Sequence, residues 1–120
     1  PSGWITVGSP ERFTEGRAII VAIAGRDSVA IFRHEGRLSA IDSACKHQNG
    51  PLGEGKIIDG CVTCPWHGYQ YRLEDGCAPP PYTEKLKTYD IRLIEGDIWL
   101  NPDGHPPGTR VEPLAIGVAQ

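Results

Sequence analysis

The stretch ACKHQNGPLGEGKIIDGCVTCPWHGYQYRL, residues 44–73, decides the fold. Cys45 and His47 form a C-x-H pattern in it, Cys64 and His67 form C-x-x-H, and the sixteen residues 48–63 separate the two patterns. Cysteine and histidine at such paired short spacings are typical of metal sites. Glycines around both patterns allow the backbone to come close to a bound group. We therefore predict one metal centre formed by two neighbouring loops.

The residue types alone leave the kind of centre open. A disulfide framework is disfavoured, because a chain of 120 residues can bury a core without covalent links. A redox pair of Cys61 and Cys64 is also disfavoured, because CVTC has the composition of a strand, which would point the two sulfurs to opposite faces. A tetrahedral zinc site competes on ligand count. A [2Fe-2S] cluster with two cysteines on one iron and two histidines on the other uses the same residues.

The segments on either side of this stretch predict an all-β fold, because short β-branched runs bounded by turn residues are typical of strands. Strands are predicted at 4–7, 18–24, 28–34, 37–41, 55–58, 61–64, 69–73, 86–94 and 97–100. The run AIIVAIA, residues 18–24, is expected to be a buried strand. Pro10 is suited to open a short helical turn, and residues 76–83, GCAPPPYT, predict a stiff proline loop.

Composition excludes several classes of protein. The net charge of −3, without a basic patch, argues against nucleic-acid binding. No apolar run approaches 18 residues, so no membrane span is expected. No basic segment precedes an apolar run at the start, so we expect no signal peptide and a soluble, cytoplasmic protein.

With both patterns and the Gly-Pro-Leu of residues 50–52 in place, the stretch resembles the cluster-binding segment of Rieske [2Fe-2S] proteins. The similarity extends over about residues 4–100. It implies a Rieske-type antiparallel β-sandwich in residues 1–100, with an inserted cluster-binding subdomain at about 43–82. Residues 101–120 are then expected to be a Pro/Gly-rich tail or linker.

The resemblance also implies the ligands of one [2Fe-2S] cluster per chain. Cys45 and Cys64 would bind one iron, and His47 and His67 would bind the other. The residues expected around the cluster are Lys46, Gly50, Pro51, Leu52, Trp66, Gly68, Tyr69, Tyr71 and Pro80. Trp66 is expected to shield the cluster or to anchor the core. Cys61 is expected to be a buried apolar filler, and Cys77 is given no role.

Departures from the respiratory members of the family predict a low redox potential. Those proteins carry an additional disulfide cysteine in each loop, where this chain has Gly50 and Trp66. They place a sulfide-bonding serine where this chain has Tyr69, and a tyrosine that bonds a ligand sulfur where this chain has Tyr71. Fewer donors leave more electron density on a cluster. We therefore expect the lower half of the Rieske range of roughly −150 to +300 mV, raised slightly if Tyr71 keeps its bond.

The expected function is electron transfer by the ferredoxin component of an oxygenase or related redox system. A reductase would be the electron donor, an oxygenase or reductase would be the acceptor, and docking is expected near His47 and His67. An oxygenase would need a second iron site, and only His34 and His105 remain for one, so the chain alone is not expected to be an enzyme. The alternatives are a Rieske module or small subunit of a larger oxidoreductase, such as a nitrite-reductase-like one, and a zinc-binding interaction domain.

Overall fold

A computed structural model of the protein describes residues 3–44, 51–66 and 68–116. In these residues the chain forms two short 3-10 helices, Pro10–Arg12 and Leu52–Glu54. The strands, in chain order, are β1 (Ile5–Gly8), β2 (Ala18–Val21), β3 (Val29–His34), β4 (Arg37–Asp42), β5 (Lys56–Ile58), β6 (Cys61–Thr63), β7 (Gln70–Arg72), β8 (Thr88–Tyr89), β9 (Ile91–Ile94), β10 (Asp97–Leu100) and β11 (Leu114–Ala115). The predicted all-β class is confirmed, as is the helical turn that Pro10 opens.

The strands form three antiparallel sheets. The outer sheet has the order β1-β10-β9, and the central sheet has the order β11-β4-β3-β2 with β8 also paired to β4. The small sheet β5-β6-β7 comes from the segment between the two halves of the sandwich. No helix in the described part of the chain has the length and apolar composition needed to cross a membrane.

The central sheet is buried on both faces. Alternate residues of a strand point to opposite faces, and four consecutive residues of β3, Val29 to Phe32, are buried. Val29 and Ile31 belong to the core shared with the outer sheet, together with Ile98 and Leu100. Ala30 and Phe32, which alternate with Val29 and Ile31 along β3, face a second core that the small sheet completes. The buried members of this second core are Ala30, Phe32, Ile41, Leu52, Val62, Cys64, Tyr71, Leu73, Ala78 and Leu86. The continuous apolar run VAIF therefore reflects burial between two layers.

Two strand predictions need correction. The run 18–24 is not a buried strand: β2 ends at Val21, lies at the edge of the central sheet, and leaves Ile20 50% exposed. The single strand predicted at 86–94 is two strands in different sheets, since β8 pairs with β4 whereas β9 pairs with β10. Asp90 lies between β8 and β9, where the chain passes from the central sheet to the outer sheet. A corner of this kind is how a chain crosses from one layer of a sandwich to the other.

The described part of the predicted tail, residues 101–116, packs on the domain, and we call it the C-terminal strap. The amide of His105 donates to the Thr88 carbonyl at 2.8 Å, and the amide of Gly108 donates to the Leu86 carbonyl at 3.0 Å. Leu114 pairs with Leu38 in the central sheet. Ile116 is 1% exposed in the sandwich core. The fold therefore continues past the boundary predicted at residue 100.

Because Ile116 fills the sandwich core, Ile116→Ala should lower the free energy of unfolding by about 2–5 kcal/mol, through lost burial and the cavity left behind. Urea unfolding followed by fluorescence measures this. Ile20→Ala is the matched control, because the same truncation at a half-exposed edge position should cost under about 1 kcal/mol. Equal costs for the two variants would mean that the strap does not contribute to the core.

Candidate metal centre

The stem of the first predicted ligand loop is fixed on both sides. β4 ends at Asp42, and the Ser43 amide donates to the Ser28 carbonyl at 3.1 Å. The Leu52 amide donates back to the Ser43 carbonyl at 3.0 Å, and Ala44 forms an isolated antiparallel bridge with Pro51. Leu52 is fully buried. The chain thus enters and leaves this loop at neighbouring points.

The second predicted ligand loop is a tight turn that starts at Cys64. Cys64 follows β6 directly, its amide donates to the Tyr69 carbonyl at 2.7 Å, and its carbonyl accepts from the Gly68 amide at 2.9 Å. Gly68 has φ of +74°, a conformation that glycine adopts without strain. Pro65 and Trp66 are exposed between these anchors. The turn therefore keeps Cys64 inside and places Pro65 and Trp66 in solvent.

The two stems lie side by side. Leu52 and Cys64 belong to the same apolar core, with Val62 beside them. Gly55 lies so close to the Thr63 carbonyl oxygen that a Cβ atom there would overlap it. An open cleft of about 350 Å³ runs between the two segments and is lined by Glu54, Gly55, Lys56, Ile58, Thr63, Cys64, Pro65 and Gly68.

Cys64 has the environment of a buried thiolate ligand. It is 1% exposed, and its neighbours in the core are apolar. A thiolate in such a position is stabilised by a bound metal ion, which supplies the compensating positive charge that the apolar core lacks. The residue thus fits an iron ligand.

The predicted proline loop packs against the second ligand loop. The Ala78 amide donates to the Glu84 carbonyl at 3.0 Å and closes the loop at its base. The Tyr82 ring lies 5.6 Å from the Tyr69 ring, centroid to centroid. Pro79 and Pro80 line a cleft of about 160 Å³ with Gly68, Tyr69, Gln70 and Tyr82. Pro80 therefore lies beside the second loop, and its expected place around the cluster stays a prediction.

An ion pair fixes the base of the proline loop. The Arg72 guanidinium donates to both Asp75 carboxylate oxygens, from Nε to Oδ1 at 3.2 Å and from Nη2 to Oδ2 at 3.1 Å, and the Cys77 amide donates to Oδ1 at 2.9 Å. Burial by itself would raise the pKa of Asp75, but the Arg72 and Cys77 donors outweigh it and lower that pKa. A charged carboxylate is therefore favoured at this turn.

Tyr71 and Tyr69 occupy different environments. Tyr71 is fully buried in the second core and stands opposite Val62 in the pairing of β6 with β7. Tyr69 is half-buried and contacts the proline loop. Tyr71 therefore lies within the core, and Tyr69 lies at the contact between the second ligand loop and the proline loop.

The two cysteines that are not predicted ligands lie in β6 and at the base of the proline loop. Cys61 is buried at the start of β6, and burial raises the pKa of its thiol, as expected of an apolar filler. Cys77 lies at the base of the proline loop, with its sulfur 3.9 Å from the Gly108 carbonyl oxygen of the C-terminal strap. Both are free thiols.

Several predicted site residues lie outside the described residues: Cys45, Lys46, His47, Gly50 and His67. Joint ligation by the two cysteines and two histidines therefore stays a prediction. Among the described residues there is no group of three or more Cys, His, Asp or Glu side chains that could hold a metal ion. His34 lies beside Glu15 and Glu35, and His105 Nε2 lies 2.9 Å from an Asp90 carboxylate oxygen.

One of the two roles expected for Trp66 is wrong, and one pair of residues was missed. With 55% of its surface exposed, Trp66 is not a core anchor. The pair that sequence reasoning missed is Asp42 and Tyr89: the Tyr89 hydroxyl donates to the Asp42 carboxylate at 2.7 Å, at the stem of the first loop. The available signal was an acidic residue directly after the apolar run LSAI, a position where a charge needs a partner.

Comparisons with known proteins agree with this architecture. A model of the Rieske [2Fe-2S] domain matches residues 3–90. The anthranilate 1,2-dioxygenase ferredoxin subunit of Burkholderia cepacia is 35% identical over 101 residues, which cover 82% of this chain and 91% of that protein. The solved ferredoxin of carbazole 1,9a-dioxygenase from Nocardioides aromaticivorans IC177 has the same fold, with a TM-score of 0.77 at 21% identity over 85% of this chain and 100% of that one.

Longer proteins are similar over part of their length. The probable 3-ketosteroid-9-alpha-monooxygenase oxygenase component of Rhodococcus rhodochrous is 26% identical over 113 residues, which cover 88% of this chain but 28% of that protein. The match to the family model and the ferredoxin relative together confirm the predicted resemblance, the [2Fe-2S] cofactor class and the electron-transfer role. This chain belongs to the Rieske [2Fe-2S] domain family.

Proposed function

We propose that this chain is the ferredoxin component of a multicomponent oxygenase and that Cys45, Cys64, His47 and His67 hold its cluster. The observation that carries the proposal is that the two loop stems lie side by side. Cys64 is buried where they meet, with 1% of its surface exposed. When bound, the cluster supplies a group that accepts and donates one electron. The anthranilate dioxygenase ferredoxin subunit, which is matched over 91% of its length, supports the carrier role.

The protein's own residues divide the site into a protected side and an exposed side. On the protected side, the core residues Leu52, Val62 and Tyr71 are fully buried and exclude water from Cys64. On the exposed side, Pro65 and Trp66 reach solvent at the tip of the second loop. Because electron transfer needs a short path to the partner, we infer that electrons leave through the exposed side.

We infer that the oxygenase partner docks on this exposed side. Trp66 is 55% exposed and Tyr82 of the adjacent proline loop is 58% exposed, and Ile58 is also half-exposed beside the second stem. Tryptophan and tyrosine are enriched among the residues that dominate binding energy at interfaces. A reductase would use the same surface in turn, since small transient interfaces suit redox partners. Lys46 would flank it.

We further infer a cytoplasmic location. Cys61 and Cys77 are free thiols, a state that the reducing cytosol maintains.

The purified protein should contain about two irons and two acid-labile sulfides per chain and show a rhombic EPR spectrum after one-electron reduction.

The midpoint potential of the protein should fall in the lower half of the range of roughly −150 to +300 mV, measured by potentiometric titration. The Tyr71→Phe variant, titrated alongside, should have a lower midpoint if the phenol donates to a ligand sulfur. A colourless protein with one zinc per chain would refute the proposed function, and a midpoint above about +200 mV would refute the low-potential assignment.

Gly55→Ala should disturb the two-loop arrangement. The added methyl group would meet the Thr63 backbone carbonyl, which cannot rotate away, so the stems must separate at a cost of about 1–3 kcal/mol. We expect a lower melting temperature and fewer than two irons per chain. Gly53→Ala is the matched control, because its methyl group would meet the end of the half-exposed Ile20 side chain, which can turn aside. Equal iron content in both variants would contradict a close, fixed approach of the stems.

Trp66→Ala should weaken docking without changing the cluster. We expect the KM of the oxygenase purified from the same organism for the reduced protein to rise roughly tenfold or more, as for an interface residue worth over about 1.4 kcal/mol, with an unchanged iron content. Stopped-flow oxidation measures the KM. Leu93→Ala is the control, because Leu93 is 45% exposed on the outer sheet. If both variants behave like the unmodified protein, the docking surface lies elsewhere.

A further inference from the structure

A buried carboxylate lies at the stem of the first predicted ligand loop. Asp42 is 6% exposed at the end of β4. Its Oδ1 atom accepts a hydrogen bond from the Tyr89 hydroxyl at 2.7 Å, and its Oδ2 atom accepts one from the Lys87 amide at 3.0 Å. Two acceptor oxygens facing two donors is the pattern of an ionised carboxylate. The Asp42 amide also donates to the Lys87 carbonyl, at 3.1 Å.

The charge of Asp42 is held by neutral donors. In the described part of the chain, no Lys, Arg or His side chain forms an ion pair with it. A buried carboxylate is expensive unless hydrogen bonds compensate it, so loss of either donor is costly. The two donors, one from Lys87 just before β8 and one from Tyr89 in it, therefore fix both the position and the charge of this side chain.

Covalent geometry places this charge close to the first ligand loop. Asp42 precedes Cys45 by three residues, so their Cα atoms are at most about 11 Å apart. The amide of the next residue, Ser43, donates to the Ser28 carbonyl, and the Ser43 carbonyl accepts from the Leu52 amide. Ala44 forms a β-bridge with Pro51. A shift of Asp42 would therefore move both ends of the loop stem.

The C-terminal strap fixes the other half of the pair. Tyr89 is 4% exposed, and Gly104 lies so near its ring that an added Cβ atom would be 2.8 Å from Cε2. The ring is thus confined between the strap and the sandwich core. Burial, followed by the neighbouring Asp42 carboxylate, raises the pKa of Tyr89 above its ordinary value, so the hydroxyl keeps its proton as a donor.

We propose that Asp42 and Tyr89 are a positioning pair that fixes the stem of the first ligand loop and tunes the cluster's redox potential with one buried negative charge. The inference rests on the proposed ligation by Cys45. A negative charge near a redox centre disfavours its reduction, and hydrogen-bond donors to that charge weaken the effect.

The two partners should consequently have opposite effects on the potential. Asp42→Asn removes the charge and should raise the midpoint potential. Tyr89→Phe keeps the charge but removes a donor, and should lower it. Both should also speed hydrogen exchange of the Ser43 and Leu52 amides in the folded protein, roughly tenfold for a lost hydrogen bond of about 1.4 kcal/mol.

Thr88→Val is the matched control for these variants. Thr88 is 1% exposed on the same strand, and its hydroxyl donates to the Thr109 carbonyl at 2.7 Å, away from Asp42. It should lower stability but leave the midpoint unchanged. If neither Asp42 nor Tyr89 variant retains iron while Thr88→Val does, the pair is required for holding the loop, which supports the proposal.

If the Asp42→Asn and Tyr89→Phe variants keep an intact cluster and both have the midpoint potential of the unmodified protein, the positioning pair is overturned while the proposed function still stands. The same would hold if Thr88→Val shifted the midpoint as much as Tyr89→Phe. An unmodified protein without a cluster would instead overturn the proposed function, so the two failures are distinguishable.

Discussion

Burial of the central sheet on both faces is the constraint on which the rest of the structure depends. β3 and β4 pair along six residues each, and their side chains alternate between two apolar cores. The outer sheet covers one face and closes the sandwich. The other face would remain an exposed apolar surface without the small sheet and the stems of the two ligand loops. The same hydrophobic burial that stabilises the sandwich therefore brings the stems of the two predicted ligand loops together.

This arrangement separates stability from function along the chain. Cys64 and Leu52 are buried at the base of their loops, whereas Pro65 and Trp66 reach solvent at the tip. The proline loop lies against the second loop and is held at its base by the bidentate contact of Arg72 with Asp75. A rigid base with an exposed tip suits an electron carrier, because the redox site keeps its geometry while partners exchange at the surface.

The C-terminal strap belongs to this support, although the family model matches only residues 3–90. The amides of His105 and Gly108 in the strap donate hydrogen bonds to the carbonyls of Thr88 and Leu86. The strap also confines the Tyr89 ring through Gly104. Through the Tyr89 hydroxyl, it reaches Asp42 and the stem of the first loop. A segment distant in sequence thus contributes to the position of residues around the site.

The sequence by itself determined the family, the all-β class, most strand positions and the spacing of the candidate ligands. These features are local: C-x-H and C-x-x-H are read within a few residues, and turn residues such as Gly36 and Gly60 mark the hairpins. The tertiary structure decided what depends on distant partners. Burial of a strand depends on its neighbours, so AIIVAIA became a half-exposed edge and 86–94 divided between two sheets. Three further features were not evident from the sequence for the same reason: the packing of the strap, the exposure of Trp66, and the contact between Asp42 and Tyr89, which are 47 residues apart. Periodicity and spacing do not encode a contact between segments that only folding brings together.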